Sequence, residues 1–129
     1  MKILLDTCIL IDFLRGKPKT IDLIRKLVEE DHELYTCGQI VSEITAGMRE
    51  NEETATIPFL KALNFIALTF EDAELAGRIK YQQAQQGKTI TLADATIAST
   101  AISHNLQLAT ENHKDFANIP NLQLFYHNP

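Results

Sequence analysis

Five short apolar runs alternate with longer segments of helical periodicity, and this alternation constrains the fold more than any other feature of the chain. The first run, residues 3–5 (ILL), is apolar on both faces and stops at Asp6. A strand of this kind is typical of a parallel sheet that is covered on both sides. The other runs predict strands over residues 34–37, 65–68, 106–109 and 122–125. Strands separated by helices indicate an α/β domain with a parallel sheet and right-handed crossovers.

The segments between these runs have the spacing and the end signals of helices. A helix is predicted after Pro18, and its apolar stripe is expected to comprise Ile21, Ile24, Leu27 and Val28. The most apolar helix, over residues 91–103, is expected to be central in the fold. The remaining helices are expected over residues 8–14, 39–48, 54–63 with Pro58 in the first turn, and 71–86 with Gly87 just beyond the end.

Length and composition predict one domain over residues 1–129, because the chain is 45% apolar and contains no linker or internal repeat. A domain of this size builds its own core, so Cys8 and Cys37 are expected to be unpaired thiols in a reducing compartment. The start lacks the pattern of a signal peptide, and no apolar run approaches the roughly 20 residues of a membrane span. We therefore expect a soluble, cytoplasmic protein.

The charge balance is acidic, with 12 basic and 17 acidic residues and a formal net charge of −5. Taken alone, this balance argues against a polynucleotide ligand, because it gives no global positive field. Six basic residues are nevertheless candidates for contacts to RNA phosphates: Arg15, Lys17, Lys19, Arg49, Lys88 and Lys114. The four histidines have no spacing typical of zinc ligands and are expected on the surface or in loops: His32, His104, His113 and His127.

Four acidic residues stand where the ligand of an open parallel sheet would bind. Asp6 ends the first predicted strand, Asp115 follows the fourth, and Glu43 and Asp94 lie near the starts of two helices. Each has an ordinary structural explanation as well. Thr91 and Asp94 have the spacing of a capping box, Asp6 suits a turn or a cap, and the other two suit solvated positions.

If the four carboxylates converge, they need a cation. Two carboxylates about 4 Å apart repel each other by about 4 kcal/mol at an effective dielectric constant of about 20, so such a cluster protonates or binds a metal. All-oxygen ligands favour Mg²⁺ or Mn²⁺, and ions held this way support hydrolysis of phosphodiesters. Thr7, beside Asp6, could add a hydroxyl hydrogen bond to a water on the metal or to a phosphate.

Four segments together resemble a known family, the PIN domain, and within it the VapC-type toxins of type II toxin–antitoxin pairs. The segments are residues 3–12 (ILLDTCILID), 40–44 (IVSEI), 92–98 (LADATIA) and 108–116 (LATENHKDF). They occur in the family's order and cover nearly the whole chain. The resemblance implies a three-layer α/β/α sandwich around a central parallel five-stranded sheet. It also implies a homodimer with Mg²⁺- or Mn²⁺-dependent endoribonuclease activity, inhibited by a cognate antitoxin protein in a larger complex.

The resemblance also implies roles for individual residues. Asp6, Glu43 and Asp94 match the family's metal-binding and catalytic acids. The fourth position falls to Asp115, or to Asn112, which stands where other members carry a second acid. Thr7 and Thr110 match supporting polar positions.

Two other classes remain alternatives. A PIN-like module that only binds a partner is opposed by the matching acids. A phosphoacceptor signalling domain needs an acidic pair after the first strand and an Asp at the end of the third, whereas this chain has Asp6-Thr7 and Leu68-Thr69. Haloacid-dehalogenase-like phosphatases need a second Asp two residues after the first, and in this chain that position is Cys8. The glycine patterns of Rossmann and P-loop modules are also absent from the sequence.

Overall fold

A computed structural model describes residues 1–126 of the chain, and its centre is a five-stranded parallel sheet. The strands lie in the order β3-β2-β1-β4-β5. This all-parallel sheet, with helices between its strands, confirms the predicted α/β class. The strand bounds are β1 Lys2–Leu5, β2 Glu33–Cys37, β3 Asn64–Ile66, β4 Gln107–Ala109 and β5 Gln123–Phe125.

Seven helices connect the strands within residues 1–126, together with one 3₁₀ turn over Glu50–Glu52. Within these residues no helix combines the length and the apolar character needed to cross a membrane. The helices are α1 Thr7–Leu14, α2 Pro18–Glu29, α3 Gly38–Gly47, α4 Glu53–Ala62, α5 Phe70–Gln85, α6 Leu92–Ser103 and α7 His113–Phe116.

The central strand β1 has the double burial that its sequence predicts. Ile3, Leu4 and Leu5 are completely buried, and β1 pairs with β2 on one side and with β4 on the other. Leu5 lies opposite Ala109 in the register of β1 and β4. The residues that follow these two strands therefore emerge side by side at the same edge of the sheet.

The predicted stripe of α2 is wrong at two of its four positions. Ile24 and Leu27 are buried, but Ile21 is 38% exposed and Val28 is 57% exposed. The buried face instead comprises Thr20, Leu23, Ile24 and Leu27, with the i, i+3, i+4, i+7 spacing of one helix face. Thr20 is therefore buried on this face, whereas its apolar neighbour Ile21, which hydrophobicity alone would place inside, is exposed.

Three further details of the chain differ from the predictions. Pro58 lies in the interior of α4 rather than in its first turn, because the helix begins at Glu53. The one-turn helix α7 was not predicted, since four polar and aromatic residues carry no readable period. The third strand is shorter than expected and ends at Ile66.

The predicted central position of α6 is confirmed, as residues 95–101 of this helix are all buried. Helix α5 packs along it, with Asp72 only 1% exposed. Burial alone would raise the pKa of Asp72, but hydrogen bonds from the Thr69 backbone and from the His104 ring lower it overall. The His104 Nε2 atom lies 3.1 Å from Asp72 Oδ2 and ties the end of α6 to the start of α5. The two thiols, Cys8 and Cys37, are unpaired, as the composition predicts.

Candidate active site

Asp6 stands at the centre of the sheet edge where the strands end. Its backbone N–H donates to Ala109 O at 2.9 Å, which extends the pairing of β1 with β4 by one residue. Because β1 lies between β2 and β4, the chain reverses direction across the sheet at this point, and ligands of open α/β sheets bind at such points. The Asp6 side chain is 4% exposed, so its charge is held almost out of water.

Three donors surround the Asp6 carboxylate. Oδ1 accepts from the Thr7 backbone N–H at 2.8 Å, which makes Asp6 the N-cap of α1 as well. Oδ2 accepts from the Thr110 hydroxyl at 2.6 Å and lies 3.7 Å from the Cys8 Sγ atom. The Thr110 oxygen in turn accepts from the Asn112 backbone N–H at 3.0 Å. Charge-assisted contacts of this kind fix the orientation of a carboxylate.

Glu43 reaches this edge of the sheet from α3, the helix that follows β2. Its Oε1 atom accepts from Gln39 Nε2 at 3.2 Å, one helical turn earlier. Burial raises the pKa of the nearby Cys37 thiol, and the charges of Glu43 and Asp6 raise it further. Both carboxylates therefore act on the end of β2, where Cys37 lies.

Asp94 lies in the first turn of α6, and its surroundings reveal its acidic neighbours. Its backbone N–H donates to the Thr91 hydroxyl at 3.0 Å, so Thr91 is the N-cap of the helix. Burial raises the pKa of Asp94, and the negative charges of Asp6, Glu43 and Asp115 raise it further. The four predicted acids therefore influence one another electrostatically, although they come from four separate parts of the chain.

The remaining predicted residues lie around this cluster. Asp115 is exposed in α7, and Asn112 is the N-cap of that helix without a side-chain capping bond. The Thr7 hydroxyl is buried and lacks a hydrogen-bond partner within residues 1–126. A buried hydroxyl without a hydrogen-bond partner is uncommon, and such a hydroxyl is available to form a hydrogen bond with a bound ligand.

The donor set fits a hard divalent cation. Its side chains offer carboxylate oxygens. Burial raises the pKa of one of them, Asp94, and the neighbouring negative charges, which a cation would neutralise, raise it further. In the arrangement observed over residues 1–126, no three His, Cys, Asp or Glu side chains stand close enough to hold one ion. The roles of Asp6, Glu43, Asp94 and Asp115 as metal ligands therefore stay a prediction.

Two contributors to this site were missed from the sequence. Gln39 could have been found from its i, i+4 spacing to Glu43, which places both on one helix face. Cys8 could not, because its contact to Asp6 depends on the turn into α1. Burial raises the pKa of the Cys8 thiol, and the Asp6 charge contributes in the same direction.

The structure divides the basic residues of the chain into two groups. Arg15 lies 3.4 Å from Glu52, and Lys17 lies 3.3 Å from Asp12, so their charges are partly compensated. Lys88 and Lys114 instead line a cavity of about 310 Å³ that also includes Asp115. Lys19 lines a separate cavity of about 180 Å³.

The described histidines make local contacts. His32 pairs with Glu30 and His104 with Asp72, and the His113 ring lies edge-on to Tyr126 at 5.0 Å. His127 lies outside the described residues.

A comparison with protein families decides the classification. The model that describes the PIN domain matches residues 3–122. The chain belongs to the PIN domain family. The resemblance inferred from four short segments is thus confirmed, and the match includes all seven predicted site residues.

Individual relatives place this PIN domain among VapC-type proteins. It is 32% identical over 120 residues to Ribonuclease VapC19 of Mycobacterium tuberculosis, covering 93% of this chain and 96% of that protein. It is 30% identical over 132 residues to Ribonuclease VapC1 of Rickettsia felis, covering 96% and 95%.

Solved structures agree with the fold of this PIN domain. The VapBC2 complex of Rickettsia felis, bound to a DNA fragment from its promoter, matches with a TM-score of 0.87 at 25% identity, over 99% of this chain and 100% of that one. VapBC-1 of nontypeable Haemophilus influenzae matches with a TM-score of 0.82 at 26% identity, over 97% of each chain. The α/β/α sandwich of the PIN family is therefore the fold of this chain.

Proposed function

We propose that this chain is a divalent-metal-dependent endoribonuclease and the toxin of a type II toxin–antitoxin pair. The observation that carries the proposal is the Asp6 carboxylate, which is 4% exposed at the carboxyl edge of the sheet and accepts hydrogen bonds from Thr7 and Thr110. Other acids lie near it, since burial raises the pKa of Asp94 and the charges of Asp6, Glu43 and Asp115 raise it further. A group of anions at the carboxyl edge of a sheet is costly unless it binds a cation. Relatives with 30–32% identity are named ribonucleases, which supports RNA as the substrate.

The protein's own residues prepare the site in a definite way. Thr7 and Thr110 hold Asp6 by its two oxygens, so this carboxylate is fixed before any ligand arrives. Gln39 orients Glu43 from the same helix. Asp94 lies in the first turn of α6 and Asp115 lies in α7, so these two carboxylates approach Asp6 from two other elements.

The metal would be Mg²⁺ or Mn²⁺, held by Asp6, Glu43, Asp94 and Asp115. When bound there, such an ion supplies Lewis-acid chemistry for the hydrolysis of a phosphodiester. The exposed Asn112 side chain would offer an amide group to orient the RNA backbone.

The family also argues against the alternative functions. A phosphoacceptor domain has the strand order 2-1-3-4-5, whereas this sheet has the order 3-2-1-4-5. A silent PIN-like module would have no need to hold Asp6 between donors at 2.6 and 2.8 Å while excluding it from water.

A nuclease assay tests the proposal directly. Structured RNA is incubated with the protein in Mg²⁺, in Mn²⁺ or in EDTA, and the Asp6→Asn variant is compared with the wild type. Asn is also a good N-cap, so this change spares α1. Asp22→Asn is the matched control, because Asp22 is exposed on α2 and pairs only with Arg25. Cleavage in EDTA, or full activity of Asp6→Asn, would contradict the metal-nuclease proposal.

The toxin role further requires an antitoxin and predicts a homodimer in the cytoplasm. Structural relatives at 25–29% identity are toxin–antitoxin complexes, which supports a protein partner of this kind. An acidic site attracts a basic side chain from an inhibitor, especially where the carboxylates are desolvated. Co-expression with the product of the gene immediately upstream, followed by light scattering, tests both the partner and the dimer. A partner that bound equally well after Asp6, Glu43 and Asp94 were all neutralised would contradict this mode of inhibition.

A further inference from the structure

A cavity of about 180 Å³ opens beside Asp6, between α2 and the end of β4. Its walls include the buried apolar side chains Ile9, Leu23 and Ala109. Thr110 also lines it, and this is the residue whose hydroxyl donates to Asp6 Oδ2. Whatever occupies the cavity therefore lies next to the proposed site of cleavage.

The size and the lining of the cavity suit a flat polar ring. Small-molecule sites are concave and mainly apolar, with a few polar groups that fix orientation. Two threonines that are nearly buried, Thr20 at 6% and Thr110 at 4% exposure, contribute to the walls. Phe125 and His113 contribute aromatic rings, and unpaired RNA bases stack on such rings.

The charged residues of the cavity are complementary to the hydrogen-bonding groups of guanine. Lys19 comes from α2 and Glu111 from the loop after β4, so a basic and an acidic residue line the cavity from two different elements. Guanine carries the acceptors O6 and N7 on one edge and the neighbouring donors N1–H and N2–H₂ on the other. A lysine suits the first edge, and the two oxygens of a carboxylate suit the second. Adenine fits less well than guanine, because it offers the carboxylate one amino group and not two neighbouring donors. The pyrimidines fit less well because their ring is smaller.

We propose that this cavity, defined by Lys19, Thr20, Thr110, Glu111 and His113, binds a guanine base of the RNA next to the scissile phosphate. The inference rests on the proposed ribonuclease function and adds the base that the site selects. Thr110 links the two, because it contacts Asp6 and also lines the base cavity.

The first experiment maps cleavage sites in an RNA pool with randomised sequence, in Mg²⁺. The wild type is expected to cut beside guanine at one fixed position. Glu111→Gln and Lys19→Met are expected to cut the same pool with that preference reduced by roughly 10- to 100-fold, the usual scale for losing a paired base contact. The matched controls are Glu29→Gln and Lys26→Met. Both residues are exposed at the other end of α2, and neither lines the cavity.

A second experiment measures binding without catalysis. The protein in EDTA is titrated with GMP, AMP and CMP, and amide chemical shifts are followed by NMR. GMP is expected to shift the amides of Lys19, Thr20 and His113 at lower concentration than AMP or CMP, which carry the same phosphate.

The outcomes separate the two proposals. Failure of the wild type to cut RNA in either metal would overturn the nuclease function, and the GMP titration would still decide the base cavity. Cleavage without a base preference at any fixed position overturns the base cavity, and so does a preference that Glu111→Gln and Lys19→Met both retain. Equal shifts with all three nucleotides overturn it as well.

Discussion

The hydrogen bond from Thr110 to Asp6 offers the sharpest test of how this site is held together. Thr110→Val keeps the size and the β-branched shape of the side chain and removes only its hydroxyl. Asp6 is 4% exposed, so water does not easily replace the lost donor at Oδ2. A hydrogen bond to a charged group contributes about 1.5–3 kcal/mol, and we expect the free energy of unfolding to fall by about 2 kcal/mol.

Two companion variants make the interpretation specific. Thr110→Ser keeps the hydroxyl and loses one methyl group, which costs about 0.8 kcal/mol. Thr36→Val makes the same chemical change as Thr110→Val at another fully buried position, where the hydroxyl has no hydrogen-bond partner within residues 1–126. Removing an unsatisfied buried hydroxyl recovers about 1–3 kcal/mol of desolvation free energy, so Thr36→Val is expected to stabilise the protein.

Urea unfolding followed by circular dichroism measures all three variants. With a slope of about 1–3 kcal/mol per molar, a loss of about 2 kcal/mol lowers the midpoint by about 1 M. Initial rates of RNA cleavage at a series of Mg²⁺ concentrations give the second readout. Thr110→Val should need more Mg²⁺ than the wild type, because Asp6 is no longer fixed, and Thr110→Ser should not. The reasoning is refuted if Thr110→Val is as stable as the wild type, or if Thr110→Ser is the more damaging change.

Three other predictions address charge. Hydrogen bonds lower the pKa of Asp72 despite its burial, so their contribution is present at neutral pH and is lost as the pH falls through that lowered pKa. Asp72→Asn should therefore lose less stability than the wild type on acidification, measured by unfolding at a series of pH values. The pKa of Asp94 is raised, so Asp94→Asn should stabilise the metal-free protein at neutral pH. The same variant should abolish the stabilisation by Mg²⁺, measured as a rise in melting temperature. In the wild type this stabilisation is expected to reach about 2.7 kcal/mol of unfolding free energy at 100 times the Kd. The double variant Lys88→Ala, Lys114→Ala should bind RNA more weakly and with a shallower salt dependence, whereas Lys26→Ala should bind as the wild type does.

The sheet could be predicted from the sequence because its strands are short apolar runs between helices, and the central strand β1 is apolar on both faces. The run over residues 3–5 gave β1 within one residue of its observed bounds. The burial pattern of α2 could not be predicted in the same way. Thr20 faces inward because it lines the cavity beside β4, a tertiary relation between elements that lie far apart in the chain. The hydrophobicity of the residues around Thr20 contains no information about the position of β4.

The role of the four candidate acids as metal ligands stays a prediction, but their positions in the fold were predictable for a similar reason, since each follows a strand or lies near the start of a helix. Their supporting contacts were not. The bond between Asp6 and Thr110 joins residues 104 positions apart and requires β4 to pair directly with β1. The sequence predicts both strands without stating that they are neighbours. The strand order therefore supplied what the pattern of apolar runs could not.

The position of β1 between β2 and β4 also sets the order in which a growing polypeptide can acquire the site. Asp6 leaves the ribosome before its partner Thr110, which is synthesised 104 residues later. Until the segment with Thr110 emerges and β4 adds to β1, Asp6 has no Thr110 to fix it and Asp115 is absent. A nascent chain of this protein is therefore unable to form the hydrogen bond between Asp6 and Thr110, or to bring Asp115 near Asp6, until β4 and the residues after it have been synthesised and β4 has paired with β1.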